Sequence, residues 1–298
     1  MTTRLSPDTA EIRGGFEDLI KTIRPELHRY VARMIGSAID GEDVVQEAVI
    51  KAYYSLPQIK TEINLRGWLF RIAHNKAIDY LRRRNLQTME QLDENLVAKP
   101  ADSPVEKKEM TGFALKIFLK LAPRQRSCVI LKDVLGYSLL EISELLETSV
   151  PEIKALLHRG RTRLREFAGS VETSHPVLDE RERRLLTVYV DRFNQRDFDG
   201  VRQMLTDEAR LDLINKTKLQ GAAKINDNYF YNYKLKRDWH FKPGLVENRL
   251  AILVFNPQSA LSRPDYFILL NWTGEQVAAI RDYHYARYVS EDAEITVI

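Results

Sequence analysis

Asp40, Glu42, Asp43, Gln46 and Glu47 recur on successive turns of one helix, a spacing that gathers acidic and amide groups into a face suited to a basic partner. Further along, three consecutive arginines, Arg82, Arg83 and Arg84, tip another helix and offer phosphate contacts. The stretch Asp40–Arg84 thus begins acidic, crosses a polar connection and ends basic, which suggests a protein surface for one half and nucleic acid for the other. A second basic cluster runs from Arg159 to Arg165. The net charge of +3 is too small to establish nucleic-acid binding, and the clustering says more. Taken alone, an acidic run of this kind is more often a solvated face.

The elements that must position these groups read as helices. Phe16, Leu19, Ile20, Ile23, Leu27, Tyr30 and Val31 recur at helical spacing within residues 11–54. Gly36-Ser37 and Asp40-Gly41 punctuate the run before a second helix over Glu42–Tyr54, which Pro57 ends. Ser55–Asn64 forms a polar loop. Arg66–Arg84 then places Trp68, Leu69, Ile72, Ala73, Ala77, Ile78 and Leu81 on one face. Residues 86–107, rich in Gln, Glu, Asp and Asn with two prolines, read as a linker.

A helix-turn-helix follows. Ser138 and Glu141 form a capping box for a helix over Leu139–Leu146, and Glu147-Thr148 supplies the turn. Ser149 and Glu152 form a second capping box, with Pro151 in the first turn, where its missing N–H costs little. Ile142, Leu145, Leu146, Ile153 and Leu157 can form the small core between the helices. The second helix presents Lys154, His158, Arg159, Arg161, Arg163 and Arg165, as a recognition helix in a major groove would. A plain helical hairpin is the bland alternative for such a segment in isolation.

Two motifs together carry a family resemblance. The run D-x-E-D-V-V-Q-E followed by W-L-F-R-I-A-x-N-x-x-x-D-x-x-R resembles region 2 of the extracytoplasmic-function (ECF) sigma factors, the promoter-recognition subunits of bacterial RNA polymerase. Leu121–Arg126 and the run I-K-A-L-L-H-R-G-R at Ile153–Arg161 resemble region 4, which reads the −35 element. Glu152, Ala155 and Leu156 depart from that pattern, standing where the family has hydroxyl or basic residues. Glu152 can accept from a cytosine amino group or simply cap the helix.

The resemblance implies roles. Asp40, Glu42, Asp43, Gln46 and Glu47 would dock on the polymerase clamp. Lys60, Asn64, Trp68, Arg71 and Asn75 would contact the −10 element as a base leaves the stack, with Arg82, Arg83 and Arg84 on phosphates and Asp79 bracing the arginines. Core packing competes with base stacking as the reading of Trp68. Glu152, Lys154, Ala155, His158, Arg159, Arg161 and Arg163 would face the −35 element. The linker, with Glu90, Asp93, Glu94 and Asp102, would thread toward the polymerase cleft, or serve as an ordinary tether.

After Leu178 the pattern changes class. Helices over Glu182–Gln195 and Phe198–Leu205 precede strand-like runs at Ala209–Ile214, Leu250–Phe255, Tyr266–Trp272 and Val277–Tyr288. Helices first and strands afterwards imply an α+β domain. Leu185–Leu213 and Ile280–Tyr288 resemble a SnoaL-like, nuclear-transport-factor-2-like fold, whose helices wrap a curved sheet into a cone with a pocket. Asp212, Asp282 and His284 are its candidate bases, with Tyr189, Tyr229 and Trp239 as lining.

The only cysteine, Cys128, excludes an internal disulfide and a cysteine-rich zinc module, so no metal or cofactor is expected and the setting is cytoplasmic. No apolar run reaches membrane-span length, and the N-terminus lacks the apolar core of a signal peptide. The expected organisation is multidomain: residues 1–85 a helical region 2 domain, 86–108 an acidic linker, 109–168 a helix-turn-helix domain, 169–178 a second linker and 179–298 the α+β domain. The reading is a sigma factor that binds core RNA polymerase and promoter DNA and does no bond chemistry. The last domain would regulate it by intramolecular contact with the sigma core, with a small ligand as a possible signal. The alternatives are a DNA-binding module fused to an isomerase- or cyclase-like enzyme, and a one-component repressor, which leaves Asp40–Arg84 unexplained.

Overall fold

In the computed structural model two helices, α1 (Pro7–Ile35) and α2 (Ala38–Ser55), cross at Gly41, where a Cβ would lie 3.0 Å from the Ala32 backbone. The glycine is therefore inside a helix and permits close approach; it does not break the chain as its pairing with Asp40 suggested. The break falls earlier, at Gly36, whose φ of +80° an L side chain rarely adopts, and Ser37 caps α2 through the Asp40 N–H at 3.1 Å. The structure describes residues 7–58, 64–95, 113–167, 179–235, 238–258 and 263–298.

The chain divides into two compact units, Met1–Thr173 and Ser174–Ile298. In the first, α3 (Leu65–Asn95) runs past Arg84 into the stretch read as linker. Residues 85–95 contain neither Gly nor Pro, and extending a formed helix fixes one residue per hydrogen bond, so no apolar stripe is needed to continue it. The acidic Asp102 and the rest of residues 96–112 lie outside the described residues, as does Lys60. A short α4 (Phe113–Lys116) and a 3₁₀ turn at Ile117–Lys120 lead into α5 (Pro123–Val129). A π-helical turn at Ile130–Val134 and then α6 (Leu139–Leu146) and α7 (Val150–Phe167) complete the helix-turn-helix. The Ser138–Glu141 box is reciprocal, at 2.7 and 3.2 Å.

These two helical segments share one core. Tyr30, Ile35, Leu69 and Phe70 belong to the same buried cluster as Leu121, Ile130, Ile142, Ile153 and Leu157. Leu119 packs so closely on Gly36 that a Cβ there would lie 2.6 Å from its Cδ1.

The second unit opens with α8 (Glu180–Asn194) and α9 (Phe198–Gln203). Strands β1 (Leu205–Leu213) and β2 (Thr217–Gln220) form a hairpin before α10 (Ala222–Ile225), a π-helical turn at Asn226–Phe230 and α11 (Tyr231–Leu235). Then come β3 (His240–Val246), β4 (Arg249–Phe255), β5 (Tyr266–Thr273), β6 (Gln276–Asp282), α12 (Tyr288–Asp292) and β7 (Ile295–Val297). The sheet order is β2-β1-β6-β5-β4-β3-β7, with β1–β6 the parallel pair. The α+β expectation holds. The run expected as one strand over Val277–Tyr288 stops at Asp282, because the chain turns there and becomes α12.

Replacing Gly41 with valine forces a branched side chain into the α1–α2 crossing. A loss of about 1–3 kcal/mol is expected, read as a lower denaturant midpoint at unchanged slope; a wild-type midpoint would show that the crossing can spread.

Candidate nucleic-acid interface

On α2 the acidic residues do not form one free face. Glu42 is 1% exposed and sits on the inward stripe with Ala38, Val45 and Ala52. Its carboxylate accepts from Arg24 Nε at 3.0 Å and Nη2 at 2.6 Å, and the same guanidinium reaches Gln46. A buried carboxylate needs such a partner, because lone burial of charge is costly. Asp40 is half-buried and accepts from the Tyr80 hydroxyl at 2.9 Å. Glu47 is exposed and bridges to Lys76 at 2.9 Å and Arg83 at 3.9 Å. Asp43 and Gln46 are exposed. The acidic face therefore leans on the basic helix next to it.

Helix α3 begins at Asn64, whose Oδ1 accepts the Gly67 N–H at 3.1 Å. Asn64, Arg66, Trp68 and Arg71 line a cleft of about 210 Å³ whose other wall is Tyr137, Glu141, Glu144 and Leu145. Trp68 is half-buried against the core, so both of its readings have a structural counterpart. Arg71 is ion-paired with Glu147 in the turn of the helix-turn-helix. Arg66 holds Glu26 at 2.6 Å and the Tyr137 hydroxyl at 3.0 Å. Burial pushes the Tyr137 hydroxyl pKa up, against the lowering effect of Arg66. Asn75, Arg82 and Arg83 are exposed, Asp79 braces Arg82 at 3.5 Å, and Arg84 is half-buried with a bond to the Ile35 carbonyl at 3.2 Å.

On α7, Lys154, Ala155, His158, Arg159, Arg161 and Arg163 are exposed along one flank. Lys154, His158, Arg161 and Arg165 line a groove of about 280 Å³ with Lys132 and Leu139. Arg161 is clamped to Asp133 at 2.5 and 2.9 Å, and Arg163 stacks over Phe167 at 5.4 Å. The second capping box is only half made. Ser149 Oγ accepts the Glu152 N–H at 3.4 Å, but the Glu152 carboxylate turns to Arg124 at 2.8 Å and the Thr148 hydroxyl at 3.3 Å. Arg124, at the start of α5 beside Pro123, was not singled out from sequence. Leu156, which departs from the family pattern, is buried.

In the second unit, Trp239, Asp282 and His284 come together and Asp212 does not. Asp212 pairs with Lys218 at 2.9 Å across the β1–β2 ladder. Asp282 is fully buried; its Oδ2 accepts from the Tyr229 and Tyr233 hydroxyls, both at 2.7 Å, and its Oδ1 from the His284 backbone N–H at 2.7 Å. Tyr233 also shares a 2.7 Å bond with Tyr266, whose ring packs on Trp239 at 5.5 Å and His284 at 4.8 Å. Burial, and after it the charge of Asp282, pushes the hydroxyl pKa values of Tyr229, Tyr233 and Tyr266 well up. The same two causes raise Tyr189, which stacks on Phe193 at 5.7 Å. Tyr233 and Tyr266 were missed; the i, i+4 spacing of Tyr229 and Tyr233 was the available signal.

Residues 19–87 match sigma-70 region 2, and residues 114–164 match sigma-70 region 4. The chain is 31% identical over 244 residues to the ECF RNA polymerase sigma factor SigG of Mycobacterium tuberculosis, covering 72% of this chain and 66% of that one. It is 30% identical over 166 residues to the ECF RNA polymerase sigma factor SigW of Bacillus subtilis, covering 51% of this chain and 88% of that one. Among solved structures, the ECF sigma factor SigJ of Mycobacterium tuberculosis aligns with 89% of this chain and 95% of its own at 16% identity and a TM-score of 0.35. A putative ketosteroid isomerase from Kribbella flavida aligns with 35% of this chain and 76% of its own at 18% identity and a TM-score of 0.26.

Glu42→Ala should leave the buried Arg24 cation without its carboxylate and cost about 3–5 kcal/mol. Chemical denaturation of the full chain reads this directly; a variant that loses polymerase affinity at wild-type stability would instead make Glu42 a surface contact.

Proposed function

The chain belongs to the ECF RNA polymerase sigma factors, the subunits that direct bacterial RNA polymerase to specific promoters and start transcription, and we propose how its residues divide that task. Asp43 and Glu47, with Asp40 and Gln46 beside them, meet core polymerase; Glu42 supports them from inside by holding Arg24. Asn64, Trp68, Arg71 and Asn75 take the −10 strand, and Arg82 and Arg83 its phosphates. Lys154, His158, Arg159 and Arg163 take the −35 element, with Arg161 braced by Asp133. The observation that carries this reading is the paired geometry in one unit: an Asn-capped helix with exposed cations beside a helix-turn-helix with a basic groove.

The second unit is assigned a regulatory role without turnover, acting through the sigma core. A general base needs a lone pair that a substrate proton can reach. In Asp282, the buried carboxylate of the candidate cluster, both oxygens already accept hydrogen bonds from the protein. That argues for a structural anchor.

Run-off transcription with purified core polymerase tests the assignment. The full chain should confer promoter-dependent initiation, and removing the residues after Leu178 should change its level; an unchanged level overturns the regulatory role. Changing Arg82 and Arg83 together to alanine should weaken binding to all promoters alike and reduce the slope of log affinity against log salt by roughly 1–2.

A further inference from the structure

The contact between the −10 helix and the helix-turn-helix contains a histidine in an unusual place. His74 lies on α3, one turn from Arg71, and faces a cleft of about 60 Å³ whose other lining residues are Arg124, Ser127, Leu146, Thr148 and Leu156. Its Nδ1 is 2.7 Å from the Tyr30 hydroxyl of α1, which lies 3.2 Å from Ser127 Oγ of α5. Ser127 in turn is 3.0 Å from the Pro123 carbonyl. A carbonyl only accepts, so Ser127 donates to it and Tyr30 must donate to Ser127. His74 Nδ1 therefore carries the hydrogen and donates to Tyr30, which leaves Nε2 as the nitrogen that a proton would enter.

The surroundings do not welcome that proton. The lining contains a second cation, Arg124, and no carboxylate. Of the carboxylates at this corner, Glu152 of α7 is taken by Arg124 and Glu147 of the turn by Arg71. The neighbouring Cys128 thiol of α5 is pushed up to about 11 by burial and stays neutral, and burial likewise raises Tyr30 of α1. The cleft lies between the two proposed DNA-reading elements: α3, which carries Arg71 one turn before His74, and the turn and first residues of α7, which contribute Thr148 and Leu156.

We propose that His74 is an acid-operated release: protonation of Nε2 separates α3 from the helix-turn-helix and frees the two DNA-reading surfaces from each other. This rests on the sigma-factor reading of those surfaces, but the separation itself is measurable without transcription. The sign follows from burial. Desolvation lowers the pKa of His74 in the closed arrangement below its ordinary 6.5, so the closed form binds fewer protons than the open one. Closure is then fully supported above about pH 6.5 and weakens as pH falls below it, by up to tenfold in the open-to-closed ratio for each unit of depression. The Nδ1–H bond to Tyr30 survives protonation, so the effect comes from charge in a closed cleft and not from a lost hydrogen bond.

The test uses the full chain with Cys128→Ala and dyes on cysteines placed at the exposed Lys51 and Glu166. Energy transfer between them should fall as pH goes from 7.5 to 5.5, while circular dichroism stays constant. In His74→Asn, whose amide N–H replaces Nδ1–H but does not titrate, transfer should not change with pH. His74→Gln serves the same purpose if the Asn variant does not fold. Constant transfer in the parent chain, or an equal fall in the non-titrating variant, overturns the proposal. Loss of promoter-dependent transcription with the energy-transfer result intact would instead overturn the sigma-factor assignment of the surfaces.

Discussion

A guanidinium taken out of water must find an acceptor for its N–H groups, and Arg126 finds them in backbone carbonyls from both helical segments. Its Nε donates to Phe118 at 2.8 Å, Nη2 to Leu119 at 3.1 Å and Leu121 at 2.9 Å, and Nη1 to Met34 at the end of α1. Among the described residues no carboxylate bonds it, and burial lowers its pKa to about 10, with Arg84 adding to the effect. The Phe118 carbonyl also accepts the Leu121 N–H at 3.1 Å; the guanidinium adds a partner there and satisfies carbonyls left over where helical segments end. One side chain thus fixes where α5 starts, seats Leu119 on Gly36 and holds the helix-turn-helix against the first three helices. The placement of α3 relative to the helix-turn-helix depends on that junction.

The junction changes what the charge pattern means. Glu47 meets Lys76 and Arg83, Arg71 meets Glu147, and Arg124 meets Glu152. Most of these pairs are exposed and individually worth about 0–1 kcal/mol. They do not hold the unit together, but they occupy groups that the proposed function gives to polymerase or DNA. Binding is then an exchange of partners, in which register is set by complementarity and affinity by the difference between two sets of pairs. The shared apolar core, with Tyr30 and Phe70 in edge-on contact at 5.9 Å, supplies the larger resistance to separation.

Periodicity and capping chemistry made much of this legible. The Ser138–Glu141 box is a pair of local hydrogen bonds, and local chemistry is written in adjacent residues; the Ser37 cap was equally local but was read only as punctuation, so α2 starts at Ala38 and not at Glu42. Glu42 was misplaced on the surface although its spacing from Ala38 and Val45 puts it on the buried stripe. What hid it was Arg24, a partner eighteen positions away whose approach only the α1–α2 crossing creates. Gly41 was read as punctuation for the same reason: the Ala32 backbone that needs its missing side chain is not a sequence neighbour. In the second unit β3 escaped notice because Pro243-Gly244 interrupts its pattern. Gly244 is required there, since a Cβ would lie 2.7 Å from the Thr296 backbone carbonyl oxygen. The tie that joins α3 to α1 and α5 had no sequence signal at all, because Tyr30, His74 and Ser127 lie on three different helices.

Asp282 follows the logic of Arg126 with the charge reversed. It ends β6, between β1 and β5, where its backbone aligns with Leu213 on one side and Ile268 on the other. Tyr229 and Tyr233 come from the helical segment between β2 and β3, so their bonds to Asp282 fasten that segment to the central strands. The anion is stabilised by neutral donors alone at the hydrogen bonds described, and such bonds are stronger for being charge-assisted. Removing a tyrosine hydroxyl would leave the carboxylate under-satisfied, which is why the cluster holds its geometry more firmly than aromatic packing alone would. A carboxylate fixed in this way makes a poor proton shuttle and a good fastener, and the ring cluster of Trp239, Tyr266 and His284 packs beside it.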